Sequence, residues 1–242
     1  MNANDIFAMS LLQQDVSRAS EGNILATVRT GYRYYTGLAG KRDLDLARSY
    51  FVLGAQGVED ASPWIHFMNL QAASLNSKPV PKSSFDNLSS LADTGDVIAV
   101  TLLGRAQERG YDGGDRDIAA AKAAYLSVGP QFALAQTFLG EIYVRHNHLD
   151  KAEPLFQLAA EKNETRAIVD LAQIYVHRLR AVAAKQLLKA AVVQNNCRAM
   201  YRLALLYKGG IGKANPKPNL AKGLLQQAAR MGYPRAITLL KQ

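Results

Sequence analysis

The sequence predicts an all-α fold: a right-handed superhelical solenoid of about six helix pairs, closed at each end by a capping helix. Three observations predict it. An ordered set of small and bulky residues recurs along the chain, its spacing is nearly constant, and every apolar pattern between the loops has helical periodicity. Near the C-terminus Leu203-Ala204 is followed by Tyr207, Gly210 and Gly212, then by Ala221, Leu224-Leu225, Ala228-Ala229 and Gly232. Gly31, Tyr34, Gly37, Ala47, Tyr50-Phe51 and Gly54-Ala55 keep that order near the N-terminus, and Leu139-Gly140, Tyr143, Ala152, Leu155-Phe156 and Ala159-Ala160 keep it in between. The reason is steric: a small residue (Gly31, Gly104, Gly140, Ala172, Ala204) stands where two helices must approach, and a large one three positions later fills the space beside it. The step from Gly140 to Ala172 and again to Ala204 is 32 residues, from Gly104 to Gly140 it is 36, and from Gly31 to Gly104 it is 73, which is two steps.

The elements follow in order. Residues 1–22 form an N-terminal capping segment, with an amphipathic helix over 4–20 that starts at Asn4 or Asp5 and places Ile6, Met9, Leu12 or Gln13, and Val16 on one side. The solenoid occupies 23–242. Repeat one (about 25–57) joins its helices through Gly37-Leu38-Ala39-Gly40, with Asp43 starting the second. Repeat two (about 61–95) is degenerate: Phe67 takes the small-residue position, and Phe85, Leu88 and Leu91-Ala92 mark its second helix. Its connection, Ser74 to Ser83, carries Pro79 and Pro81 and is expected to be a helix-free, mobile insertion. Repeat three (about 97–129) has the loop Gly110 to Asp115, with Asp117 near the next helix start. Repeats four (133–163) and five (165–195) clip the glycine loop to Arg145-His146-Asn147-His148 and His177-Arg178-Leu179-Arg180. Repeat six (197–232) regains it and sets Pro216 and Pro218 before Asn219, a capping residue for the helix through Arg230. Residues 233–242 make the C-terminal cap, needed because the last repeat has no neighbour to cover its inner face.

The order Leu-Ala/Gly-x-x-Tyr-x-x-Gly-x-Gly, then Ala, a bulky pair, Ala-Ala and Gly, present in residues 203–232 and echoed in 30–57, resembles the Sel1-like repeat, a relative of the tetratricopeptide repeat. Units four and five, without the glycine loop, resemble tetratricopeptide repeats more closely. The resemblance covers about residues 25–240. It implies Sel1/tetratricopeptide-like helix pairs and a non-enzymatic adaptor or scaffold that holds other proteins together.

Composition narrows the classes. The 48% hydrophobic content is ordinary for a folded chain, and no run approaches the roughly 18 apolar residues of a membrane-spanning helix. No basic residue precedes Arg18 and Ser10 interrupts the first apolar stretch, so no secretory signal is expected and the chain is read as cytoplasmic, or periplasmic if a leader has been removed. Cys197 is the sole cysteine, which excludes an intrachain disulfide. The net charge of +9 is unevenly placed: residues 171–242 hold 13 Lys/Arg and no Asp or Glu. That end predicts an acidic protein partner or, alternatively, an anionic polymer or surface such as acidic polysaccharide, lipid head groups or nucleic acid. The patch is assigned to Arg178, Arg180, Lys185, Lys189, Arg202, Lys213, Lys217, Lys222, Arg230 and Arg235.

Chemical motifs are weighed and set aside. Gly209-Gly210-Ile211-Gly212-Lys213 lacks the glycine and the Ser/Thr of a phosphate loop, having Tyr207 and Ala214 there, so no nucleotide is expected. Asp112, Asp115 and Asp117 lack calcium-loop spacing, and His146, His148, His66 and His177 lack partners for zinc, so no metal is expected. No nucleophile, base and carboxylate can be grouped, so neither catalysis nor a cofactor is expected. Met200, Met231, Tyr143, Tyr175 and Tyr207 fall at core spacing and read as packing residues. A partner groove is expected on the first helix of each unit, at positions flanking the small residue. These are Tyr32 and Tyr35; Thr101, Arg105 and Glu108; Thr137 and Glu141; Arg166 and Gln173; and Arg198, Tyr201 and Lys208.

Overall fold

The computed structural model describes residues 15–37, 42–56, 61–210 and 216–241. Among these the regular structure is helical and arranged as consecutive antiparallel-order pairs. Repeat one is α1 (Ile24–Thr36) with α2 (Leu44–Ala55), repeat two α3 (Ser62–Leu75) with α4 (Lys82–Asp93), and repeat three α5 (Val97–Arg109) with α6 (Ile118–Ser127). Repeat four is α7 (Ala133–Arg145) with α8 (Leu149–Glu161), repeat five α9 (Thr165–His177) with α10 (Ala181–Val193), and repeat six α11 (Cys197–Gly209) with α12 (Pro218–Arg230). The closing helix is α13 (Pro234–Leu240). The chain divides into two compact units, Met1–Ala47 with Asn163–Gln242, and Arg48–Lys162.

Local chemistry sets the ends. Asn23, Asp96, Asp117 and Asn196 each accept a hydrogen bond from the amide three residues on, at 2.8–2.9 Å, and so satisfy a donor with no intrahelical partner. Asp43 does the same for α2, accepting from the Asp45 and Leu46 amides. The clipped turns after α7, α8, α9 and α10 end in left-handed residues, Asn147, Asn163, Leu179 and Asn195. Asparagine tolerates that region; leucine does not.

The small-residue rule holds at every unit where it was read: Gly31, Gly104, Gly140, Ala172 and Ala204 are all buried. At Gly140 the α8 residue Phe156, itself fully buried, lies so close that a Cβ would sit 2.7 Å from its ring. In repeat two Phe67 is buried, and Trp64 stacks at 5.3 Å on Phe51 of repeat one, so aromatic bulk fills the space that a helix contact fills elsewhere.

Several expectations need correction. The Ser74–Ser83 segment is not helix-free: α3 runs on to Leu75, α4 begins at Lys82, and Pro81 stands at the N-cap. Val80 lies against the Gly110–Asp115 loop, within 2.8 Å of where a Gly113 side chain would begin. Asn219 does not cap α12; Lys217 holds that position with Pro218 in the first turn, where proline's missing N–H costs nothing. Tyr143 and Tyr175 are half-buried rather than packed inside, and cations cover their rings: Lys122 and Lys151 on Tyr143, Arg180 on Tyr175. Of the N-terminal cap, residues 15–20 are helical; Asp15 is buried and pairs with Arg29 at 2.8 Å and Arg33 at 3.2 Å, stapling this segment to α1. Asn4, Asp5, Ile6, Met9, Leu12, Gln13, the Leu38–Gly40 stretch and the Ile211–Ala214 stretch with Lys213 lie outside the described residues.

Candidate functional site

The residues assigned to a groove separate into two kinds. In the unit Arg48–Lys162 most of them are buried. Thr101 and Thr137 have no exposure, and each hydroxyl donates to the carbonyl four residues back, Val97 and Ala133. A threonine satisfied by its own helix needs no water, so its polarity does not put it on a wet wall.

Arg105 and Glu108 are buried as well, and form the centre of an ionic cluster. Arg105 donates to both Glu108 oxygens at 3.0 and 2.9 Å and to Glu141 at 2.9 Å. Arg145 donates to Glu108 at 2.7 Å, Arg109 stands at 3.4 Å, and the Tyr125 hydroxyl donates at 2.8 Å. The Arg105 guanidinium also lies 4.1 Å over the Phe138 ring. Burial and the Glu108 carboxylate push the Tyr125 phenol far up, while burial with the Arg105 and Arg145 charges draws Arg109 down. With its lone pairs occupied in this way, Glu108 is a strut between repeats three and four and has no acid–base work to do. Glu141 belongs to the same strut.

In the other unit the assigned positions are half-buried, apart from the exposed Lys208, and make separate contacts. Tyr32 of repeat one donates to the Glu164 carboxylate of repeat five at 3.2 and 3.3 Å, and Glu164 caps α9 by accepting from the Arg166 amide. Burial, then the Glu164 charge, raise the Tyr32 phenol well above its ordinary value. Tyr35 carries Arg42 5.0 Å over its ring. On α9, Arg166 and Gln173 are half-buried; on α11, Arg198 pairs with Asp170, Tyr201 packs on Tyr233 with centroids 5.5 Å apart, and Lys208 is exposed in the last turn.

The basic residues are mostly open to solvent. Arg178, Arg180, Lys189, Lys217, Lys222, Arg230 and Arg235 are exposed, whereas Lys185 and Arg202 are half-buried. Burial, followed by the Arg198 and Arg235 charges, draws Arg202 below its usual range.

Among the described residues no group of three or more His, Cys, Asp or Glu is placed to hold a metal, and no helix is long and apolar enough to cross a membrane. Asp112 accepts from the Gly114 amide and Asp117 caps α6, so both serve the backbone. His148 lies edge-on to Tyr143 at 6.4 Å. Sequence reasoning missed Tyr125, Arg145, Asp170, Glu164 and Tyr233 as members of these clusters. A signal was present: Arg105 and Glu141 are 36 residues apart, one repeat step, with opposite charge.

The Sel1 repeat model matches residues 24–57, 131–164 and 197–233, the first, fourth and sixth units. A protective antigen of uropathogenic Escherichia coli displaying an SLR fold is similar over 95% of this chain, at 22% identity and a TM-score of 0.63; the chain spans 50% of that protein's length. A Sel1 repeat protein from Oxalobacter formigenes matches over 86% of this chain and 88% of its own, at 22% identity and a TM-score of 0.59. Among curated proteins none matches. Three units of this chain are thus Sel1 repeats, and the two solved neighbours share its solenoid fold.

Proposed function

We propose that this chain is a non-enzymatic protein-binding adaptor. Sel1 repeat proteins generally mediate protein–protein interaction and are typically non-catalytic. In this reading a partner segment is captured on the α9–α11 face, through Arg166, Gln173, Arg198, Tyr201 and Lys208, and the basic C-terminal repeats meet an acidic surface. The observation that carries it is the charge of residues 171–242, 13 Lys/Arg and no acid, with seven of the assigned bases exposed on that end. Such a surface repels itself and favours an anionic protein.

The test is capture from native host extract with the full chain, at about 50 and 200 mM salt, where exposed charge interactions reach about 14 and 7 Å. The variant Arg198→Gln with Tyr201→Ala loses the partner while keeping helicity, with a lower melting temperature because Asp170 and Tyr233 lose their contacts. Lys208→Glu, at an exposed position, weakens capture without any question of folding. Undiminished capture by folded variants removes the α9–α11 face from the reading. A salt response as steep as that of an anionic polymer, with binding to duplex DNA or acidic polysaccharide in place of protein, replaces it by the alternative.

A further inference from the structure

Sequence spacing put Arg198 and Tyr201 in a groove and Arg202 and Arg235 in a separate basic end; the structure merges them. Arg198 and Arg202 are one turn apart on α11. Tyr201 packs on Tyr233 at 52° between planes, and Tyr233 is the N-cap of α13, whose second residue is Arg235. Arg198 is already engaged with Asp170. Arg202 differs: its Nε is buried and has no hydrogen-bond partner among the described residues. A buried donor without an acceptor costs about 1–3 kcal/mol, and more when the group is charged. No acid within residues 171–242 can supply that acceptor.

We propose that Arg202 and Arg235, beside the Tyr201–Tyr233 pair, receive a carboxylate side chain from an acidic peptide segment of the partner. This deepens the adaptor reading and rests on it. A carboxylate offers two acceptor oxygens in the plane of a guanidinium, so one Asp or Glu of the peptide takes two N–H groups of the half-buried Arg202 or the exposed Arg235 together. An aromatic or aliphatic peptide residue next to that acid covers the tyrosine rings. Two arginines and an aromatic wall make a compact receptor, unlike the extended row of charges that tracks a polyanion.

The experiment screens the full chain against an array of octapeptides permuting Asp and Glu with Phe, Tyr, Leu and Ser, followed by fluorescence anisotropy on the best binder. Retained peptides carry an acid within two residues of an aromatic or aliphatic one. Arg202→Lys keeps the charge but loses the planar fork, and it weakens the binder at least tenfold; Arg235→Gln does the same. Lys241→Gln, an equal loss of charge in the same acid-free region, changes affinity less than twofold. Arg235 and Lys241 are exposed, so these two variants decide the matter even if Arg202→Lys lowers the melting temperature. The inference is overturned if acidic peptides are not enriched, if Arg235→Gln binds like wild type, or if Lys241→Gln weakens binding equally. It is overturned too if phosphopeptides or anionic vesicles bind and the acidic octapeptides do not. Capture of a native partner that depends on Tyr201 but ignores Arg202 and Arg235 sinks this inference and leaves the adaptor standing.

Discussion

Gly140→Ala tests the register of the helix pairs most directly. A Cβ built there meets the Phe156 ring at 2.7, 2.9 and 3.0 Å. Comfortable carbon contacts lie near 3.5–4.0 Å, so three ring atoms are each short by roughly 0.5 Å or more. Phe156 has no exposure, so the ring cannot swing into water; α7 and α8 must part, or the ring must leave its rotamer at about 0.5–1.5 kcal/mol. Overpacking of this kind costs about 1–3 kcal/mol. Alanine recovers about 1 kcal/mol over glycine in a helix interior. The three-atom clash favours the upper half of the overpacking range, and the net effect is a loss of about 1–2 kcal/mol.

The same substitution at Gly223, interior to α12 with nothing within 4 Å, keeps the whole helix gain and stabilises by about 1 kcal/mol. Gly104→Ala falls between, because its new methyl meets Ala124 at 2.9 Å but only one atom of Tyr125 closely. The order of stability is therefore Gly223→Ala, wild type, Gly104→Ala, Gly140→Ala. Repeat arrays open locally, so hydrogen exchange of α7, α8 and α12 amides is the assay, with thermal melts beside it. Unchanged or increased protection of α7 and α8 in Gly140→Ala refutes the close approach and the register built on it.

Three further outcomes are expected. Glu108→Gln leaves Arg105 facing a neutral amide; breaking such a buried pair costs about 3–5 kcal/mol, and urea unfolding should show the lower end, since Arg145 and Arg109 keep some water. A loss below about 1 kcal/mol would mean that the cluster contributes little. Leu179 stands at φ +58° and is 91% exposed, where three other turns use asparagine at +59 to +61°; Leu179→Asn should raise stability by up to about 1 kcal/mol, and an unmoved melting curve contradicts the strain. Burial pushes the Cys197 thiol up to about 11, so the folded chain holds that proton longer than the unfolded one. Stability from this group is full below the ordinary thiol value near 8.5 and falls as pH rises toward 11, a slope that Cys197→Ala removes. Thiol labelling at pH 8 as fast in the native chain as in urea contradicts it.

Much of the fold was legible because the array repeats one steric problem. The small residue at the helix contact and the 32-residue step located the helix pairs of repeats three to six within a residue or two. Repeat two was reached only by subtraction, since Phe67 replaces the small residue and Trp64 and Phe51 do the filling. The Ser74–Ser83 segment was misread because composition was allowed to outrank continuation: a helix already running absorbs Ser74 and Leu75 at little cost, and proline at an N-cap permits the next one to start.

The site was less legible, and the cause is that polarity alone does not give a residue's address. In a repeat array, matching positions of neighbouring units lie side by side, so opposite charges one step apart find each other. Arg105 and Glu141 each follow the small residue of their unit, and they pair; Arg198 also meets an acid of the preceding unit, Asp170, although the two are 28 residues apart and do not hold matching positions. Once paired in a dry place, such residues become struts. Where the one acid within reach is already taken, as Asp170 is by Arg198, a further base finds no carboxylate in its own unit. Residues 171–242 contain none, and there the Nε of Arg202 is left buried with no acceptor. A run free of acids on an array of this kind leaves its bases fewer carboxylates to pair with, and this is the basis on which an external carboxylate is proposed as their partner.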